Sequence, residues 1–184
     1  MTTSPPLFKA LTIAGSDSGA GAGIQADLKT FASLGVYGSS VLTAVTAQNT
    51  REVAAIAEVP EEVVIAQIDT VLEDIGADAI KTGMLSGRKI IENTADRLLA
   101  WGIPHLVVDP VMVSKSGAPL LQPDAMRALV KELLPMATVV TPNVPEAQEL
   151  SKRDSAAPED AQEAAKAIHG LGPDVVIIKG GHLE

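Results

Sequence analysis

The stretch Leu11-Thr12-Ile13-Ala14-Gly15-Ser16-Asp17-Ser18-Gly19-Ala20-Gly21-Ala22-Gly23-Ile24-Gln25-Ala26-Asp27-Leu28-Lys29-Thr30-Phe31 decides the fold. It opens on a short apolar run, Leu11–Ala14, and passes through a glycine-rich turn, Gly15–Gly23. It then continues in helical period over Gly23–Leu34, with Ile24, Leu28, Phe31 and Leu34 on one stripe. Strand, tight turn, helix is the first half of a βαβ unit.

Outward from that stretch the rhythm persists. The spacing predicts strands over Ser39–Ala47 and Val53–Val59, the second at a sheet edge. Pro60 opens a helix that runs to about Ile75, with Ile65, Ile68, Leu72 and Ile75 on one face. A strand at Asp78–Thr82, a helix at Arg88–Ala100 and a buried strand at His105–Asp109 follow. Next come a helix at Pro123–Leu134, a strand at Thr138–Thr141 and a short helix at Pro145–Leu150. A helix at Pro158–His169 and a strand at Val175–Lys179 complete the series. This alternation predicts an α/β fold, a central mostly parallel sheet with right-handed crossovers and helices on both faces. Residues 1–9 are expected as a disordered lead, residues 10–184 as one domain, and Ser151–Asp160 as a polar surface loop. The chain stops just after a strand and a Gly-Gly turn, where such a sheet normally enters a helix. The domain is therefore expected to be C-terminally truncated.

Composition agrees with a covered parallel sheet. Hydrophobic residues make up 46% and aromatic residues 2%, so the core has to be built from Ala, Val, Ile and Leu. A net charge of -9 argues against binding nucleic acid or an anionic membrane surface. The absence of cysteine removes disulfides and thiolate metal sites. No apolar run approaches the length of a membrane span, and a cytoplasmic protein is expected.

In open α/β sheets ligands bind beyond the carboxyl ends of the strands. Six expected strand ends carry glycine or functional side chains: Gly15–Gly23, Gln48-Asn49-Thr50, Gly83-Met84, Asp109-Pro110-Val111-Met112, Thr141–Glu146 and Lys179–His182. The glycine-rich loop can cradle an anion at a helix N-terminus, or simply be a flexible turn. It lacks the Lys-Ser/Thr of a P-loop, and no acidic residue ends a second strand as a dinucleotide site requires. Asp27 falls inside the apolar stripe of its helix, so it either faces a ligand or caps a neighbouring loop's N–H groups. Asp109 ends a buried strand and suits Mg²⁺ or an Asx-turn. Asn143 and Glu146 have the spacing of a capping box, and the same Glu can hold hydrated Mg²⁺ beside a triphosphate. Lys179, ending an apolar strand, is read as a phosphate contact. His105 and His169 are read as structural, and the three histidines have no metal-ligand spacing.

Six blocks, read together, are more specific than any one of them. They are Ala10–Phe31, Thr43–Thr50, Lys81–Leu85, Asp109–Gly117, Thr141–Glu146 and Ile178–His182. Their order and spacing resemble the hydroxymethylpyrimidine/phosphomethylpyrimidine kinases of thiamine biosynthesis, members of the ribokinase-like superfamily. The resemblance implies ATP-dependent phosphorylation of 4-amino-5-hydroxymethyl-2-methylpyrimidine and then of its monophosphate. By the same resemblance Gly15, Asp27, Gln48, Met84 and Val111 line the pyrimidine pocket. Asn143, Glu146 and Lys179 meet ATP, Asp109 and Glu146 meet Mg²⁺, and Lys179 takes the catalytic role. A homodimer is implied. The family continues past the Lys-Gly-Gly-His strand to a Gly-Thr-Gly-Cys turn that supplies its anion hole and catalytic cysteine. Neither occurs here, so transfer by these 184 residues alone is expected to be impaired. A pyridoxine/pyridoxal kinase and a non-catalytic pyrimidine-binding fragment are the alternatives.

Overall fold

The computed structural model describes residues 7–112, 123–153 and 158–180. Strands β1 (Lys9–Ala14), β2 (Tyr37–Leu42), β5 (Ala79–Thr82), β6 (Leu106–Val108), β7 (Val139–Val140) and β8 (Val175–Val176) form one sheet. Its order is β2-β1-β5-β6-β7-β8 and every pairing is parallel. Strands β3 (Ala44–Gln48) and β4 (Val53–Glu58) pair antiparallel as a separate flap. Helices α1 (Gly23–Ser33), α2 (Glu61–Asp74), α3 (Arg88–Trp101), α4 (Pro123–Ala128), α5 (Val144–Ser151) and α6 (Pro158–His169) fill the connections.

Alternation along the strands separates the two faces. Thr12 of β1 reaches Asp27 of α1, and Gly38 of β2 lies close against Leu28 and Phe31 of the same helix. The opposite face carries Leu11, Ile13 and Ile80. They join Val64, Ile68 and Leu72 of α2 and Ile91 and Leu98 of α3 in the main core. Each fully buried Leu or Ile contributes about 1.5–3 kcal/mol by leaving water. The core is aliphatic, as composition requires. Phe8 and Trp101 stay on the surface, and Trp101 donates to Asp69, tying α3 to α2.

Several expected boundaries are corrected. Lys9, placed in the disordered lead, begins β1, and its amide and ammonium hold Asp78 and the Ile75 carbonyl. Residues 1–6 lie outside the described residues, as do 113–117 of the Asp109–Gly117 block, 154–157 of the polar loop, and Gly181 and His182. The expected strand Ser39–Ala47 breaks at Thr43. Its buried hydroxyl donates to the Met84 carbonyl, and from there the chain leaves the main sheet to form the flap. Leu34 is 71% exposed, because α1 ends at Ser33 and turns away from the sheet. On α2 the buried positions are Val64, Ile68 and Leu72, whereas Ile65 is only half-buried.

The helix expected over Pro123–Leu134 widens into a π-turn at Leu129–Leu133 and tightens to a 3₁₀ turn at Leu134–Met136. Pro135 explains the change, since it has no N–H and its ring crowds the carbonyl four residues back. The last strand is shorter than Val175–Lys179. Amides of Ile177 and Lys179 still donate to Val140 and Pro142, but Pro142 has no N–H to return a bond. Only a bridge between Asn143 and Lys179 remains there.

Candidate active site

The glycine-rich turn is built around Asp17. This buried carboxylate accepts from the amides of Gly19 (2.8 Å), Gly21 (3.0 Å) and Ala22 (2.8 Å). The Asp17 amide donates to Gln25 Oε1, while Gly15 and Ser16 donate to the Met84 and Ala44 carbonyls. The turn's amides are thus largely consumed inside the protein. Of the two readings of the loop, an anion cradle or a plain turn, these bonds favour an internally organised turn, three of whose N–H groups serve a side chain of the turn itself. Gly23 is required on two grounds. Its φ is +58°, and a Cβ there would lie 2.5 Å from the Gly15 carbonyl oxygen.

Two serines stitch the turn to the flap. Ser16 Oγ accepts from the Thr46 amide and Thr46 Oγ1 donates to the Ser16 carbonyl. Ser18 Oγ bonds both the carbonyl and the amide of Gln48, at 2.7 Å each. Gln48 is thereby held by its backbone at the rim, with its side-chain oxygen near Thr46 Oγ1 at 3.3 Å. Across the turn, a Cβ on Gly15 would come within 2.4 Å of the Met84 methyl, so only glycine lets that side chain sit where it does.

Asp27 caps no loop. Its carboxylate accepts from Lys81 Nζ at 2.8 Å on both oxygens and from Thr12 Oγ1 at 2.6 Å. That ion pair resolves the cost of a carboxylate in an apolar stripe. The pair also lines the cleft.

At the other end, Asn143 caps α5 with the reciprocal bonds of a capping box. Its Oδ1 accepts from the Glu146 amide, and Glu146 Oε2 accepts from the Asn143 amide, both at 2.8 Å. Glu146 is 5% exposed. Burial pushes its carboxyl above the usual glutamate value. The Asn143 amide, the Lys179 ammonium and the Met112 amide oppose that rise, and nearby Asp109 adds to it. Lys179 Nζ donates to Asp109 Oδ1 at 2.7 Å.

These groups border one cavity of about 520 Å³ at the carboxyl ends of the strands. Gly15, Asp27, Gln48, Met84, Val111, Asp109, Asn143, Glu146 and Lys179, each singled out from sequence, all line it. Of the remaining lining groups, sequence reasoning missed Asp17, Lys81 and Thr46. Asp17 carried a signal, since an Asp inside a glycine-rich turn, two residues before Gly19, is an Asx-type organiser. Lys81 carried one too, as a lysine inside a short apolar strand.

Comparison with known proteins gives a consistent identity. A family model described as phosphomethylpyrimidine kinase matches residues 17–184. A hydroxymethylpyrimidine/phosphomethylpyrimidine kinase of Rhizobium meliloti is 55% identical over 95% of this chain, which covers 66% of that relative. The crystal structure of phosphomethylpyrimidine kinase from Clostridium difficile superposes with a TM-score of 0.89 at 48% identity, covering 96% of this chain and 77% of that one. A pyridoxal kinase from Staphylococcus aureus, solved with AMP-PCP and pyridoxal, superposes with a TM-score of 0.86 at 45% identity. That match covers 96% of this chain and 64% of the other. The chain spans about two thirds of the length of the Rhizobium relative and of a Bacillus subtilis one. With the fold, the cleft at the carboxyl ends of the strands and these likenesses in agreement, the chain belongs to the phosphomethylpyrimidine kinase family.

Proposed function

We propose that the protein carrying this chain transfers the γ-phosphoryl group of ATP to the hydroxyl of 4-amino-5-hydroxymethyl-2-methylpyrimidine, and then to the resulting monophosphate. One observation carries the reading: groups suited to a flat aminopyrimidine and groups suited to a triphosphate line one cleft. Gly15, Asp27, Gln48, Met84 and Val111 offer apolar surface and hydrogen-bonding groups suited to a flat aminopyrimidine. Gln48 can both donate to and accept from such an edge, and Asp27 can only accept. Asp109, Asn143, Glu146 and Lys179 offer the charges that a triphosphate and its metal require.

The donor set fits Mg²⁺. Asp109 and Glu146 supply hard oxygen ligands, and among the described residues no group of three His, Cys, Asp or Glu side chains could hold a metal alone. Mg²⁺ commonly binds through one or two carboxylates together with substrate phosphates. When bound, it would neutralise charge developing on the transferred group. Lys179, released from Asp109, would meet phosphate oxygens, and Asn143 would keep Glu146 aimed through the capping box. Positioning and charge stabilisation are the work asked of this site. No helix among the described residues is long and apolar enough to cross a membrane. The reading includes a cytoplasmic homodimer, supported by the family resemblance.

A second reading, pyridoxal phosphorylation, is favoured by the likeness to the Staphylococcus aureus enzyme. Side-by-side turnover of the two rings by the intact protein separates them. A higher kcat/KM for the hydroxymethylpyrimidine supports the first reading, and exclusive turnover of pyridoxal overturns it.

A further inference from the structure

Lys81 sits on β5, between β1 and β6 in the interior of the parallel sheet. Its Cα partner across β1 is Thr12, so both side chains leave the sheet on the α1 face. Both meet the same carboxylate. Lys81 Nζ lies 2.8 Å from each oxygen of Asp27, and Thr12 Oγ1 lies 2.6 Å from Oδ2. Thr12 is fully buried, and the Asp27 and Lys81 side chains are 14% and 26% exposed. The Lys81 ammonium is tucked beneath the Gly83-Met84 turn, since a Cβ on Gly83 would lie 3.6 Å from Nζ.

This grip has a chemical consequence. An ionised carboxylate has roughly four lone-pair directions. Three are taken by these contacts, which fix the rotation of the group and leave about one direction for a donor in the cleft. We infer that Lys81 is a positioning residue: together with Thr12 it holds Asp27 as a fixed, acceptor-only contact for an N–H or O–H donor of the ring substrate. The inference rests on the reading that Asp27 belongs to the ring pocket. It assigns Lys81 no contact with substrate phosphate.

The test is calorimetric titration of hydroxymethylpyrimidine, and separately of its monophosphate, into wild type, Asp27→Asn, Lys81→Met, Lys81→Arg, Thr12→Val and the Asp27→Asn/Lys81→Met double variant. Asp27→Asn and Lys81→Met are each expected to weaken both ligands on the order of 10- to 100-fold, the range for residues that orient a contacting group. The double variant should lose little more than either single one, because both act through one carboxylate. Arg, which can grip both oxygens, restores most of the affinity. In turnover, Lys81→Met raises KM for the pyrimidine while KM for ATP and kcat stay within about threefold. If Lys81→Met fails to fold, Thr12→Val carries the comparison with a smaller loss in the same direction.

The outcomes separate the two levels. Weak binding by Asp27→Asn with wild-type binding by Lys81→Met overturns the inference and leaves the ring pocket standing. Wild-type binding by Asp27→Asn, or none by wild type, overturns both. A loss confined to the monophosphate makes Lys81 a phosphate contact and overturns the positioning role.

Discussion

Lys179 Nζ lies 2.7 Å from Asp109 Oδ1, so the cation near the last strand is held by the carboxylate that follows β6. Lys179 is 44% exposed and Asp109 19%, so water screens the pair and it contributes about 0–1 kcal/mol to stability. In the proposed reading the pair holds an ammonium where phosphate charge would arrive. Lys179→Met should therefore leave the melting temperature nearly unchanged. Turnover should fall about 10²- to 10³-fold, as when an electrostatic stabiliser of a transition state is removed. Steady-state kinetics and a thermal melt on the same sample check both halves.

Glu146 links stability to pH. Burial raises its carboxyl above 4.5, so the folded state binds this proton more readily than the unfolded chain does. The associated stability is fully present below 4.5 and is lost as pH rises through the folded-state value. Glu146→Gln stays neutral and keeps an oxygen for the Asn143 amide. The variant should melt above wild type near neutral pH, and the two curves should converge as the solution is acidified. A gap independent of pH would contradict this assignment. The same variant should lose turnover, because it removes a proposed Mg²⁺ ligand.

Asp17 serves three amides at once, and no other group among the described contacts of the turn replaces it. Asp17→Ala removes the acceptor of all three donors. Gly19 and Gly21 are exposed and Ala22 is half-buried, so water can take its place, and the loss should be about 2 kcal/mol, at roughly 0.5–1.5 kcal/mol net per hydrogen bond. Asp17→Asn keeps one accepting oxygen and should cost less. Urea denaturation measures the difference.

Two glycines with positive φ give a controlled comparison. Gly35, at φ +69°, has nothing within 4 Å of its would-be Cβ, so Gly35→Ala carries only the backbone penalty, about 1 kcal/mol. Gly23, at φ +58°, adds a collision with the Gly15 carbonyl. Gly23→Ala should cost at least ~2 kcal/mol more than Gly35→Ala, because relief of the clash has to move the Asp17-centred turn. Equal melting temperatures for the two variants would show that the turn is not rigid.

Much of this was readable from residue types and periods. The strand-turn-helix of residues 11–31 specified a parallel α/β sheet, and the six polar strand ends named the residues now found around one cleft. What could not be read was partnership. Asp27 was recognisable as out of place in an apolar stripe. Its partner, though, sits 54 positions away on β5, and that separation hides the ion pair until the sheet order is known. The departure of the chain at Thr43 depends on a hydroxyl meeting the carbonyl of Met84, again a distant contact. Pro135 and Pro142 acted locally, yet their effects needed a neighbour: a helix turn to widen in one case, a strand left without a donor in the other.

The central claim, that this cleft belongs to a pyrimidine kinase acting twice, is tested most directly by following products. The intact protein is incubated with 4-amino-5-hydroxymethyl-2-methylpyrimidine, ATP and Mg²⁺, and the pyrimidine species are resolved by mass over time. The account predicts that the monophosphate appears first and is then converted to the diphosphate. Unchanged pyrimidine, in a preparation that phosphorylates pyridoxal under the same conditions, would contradict it.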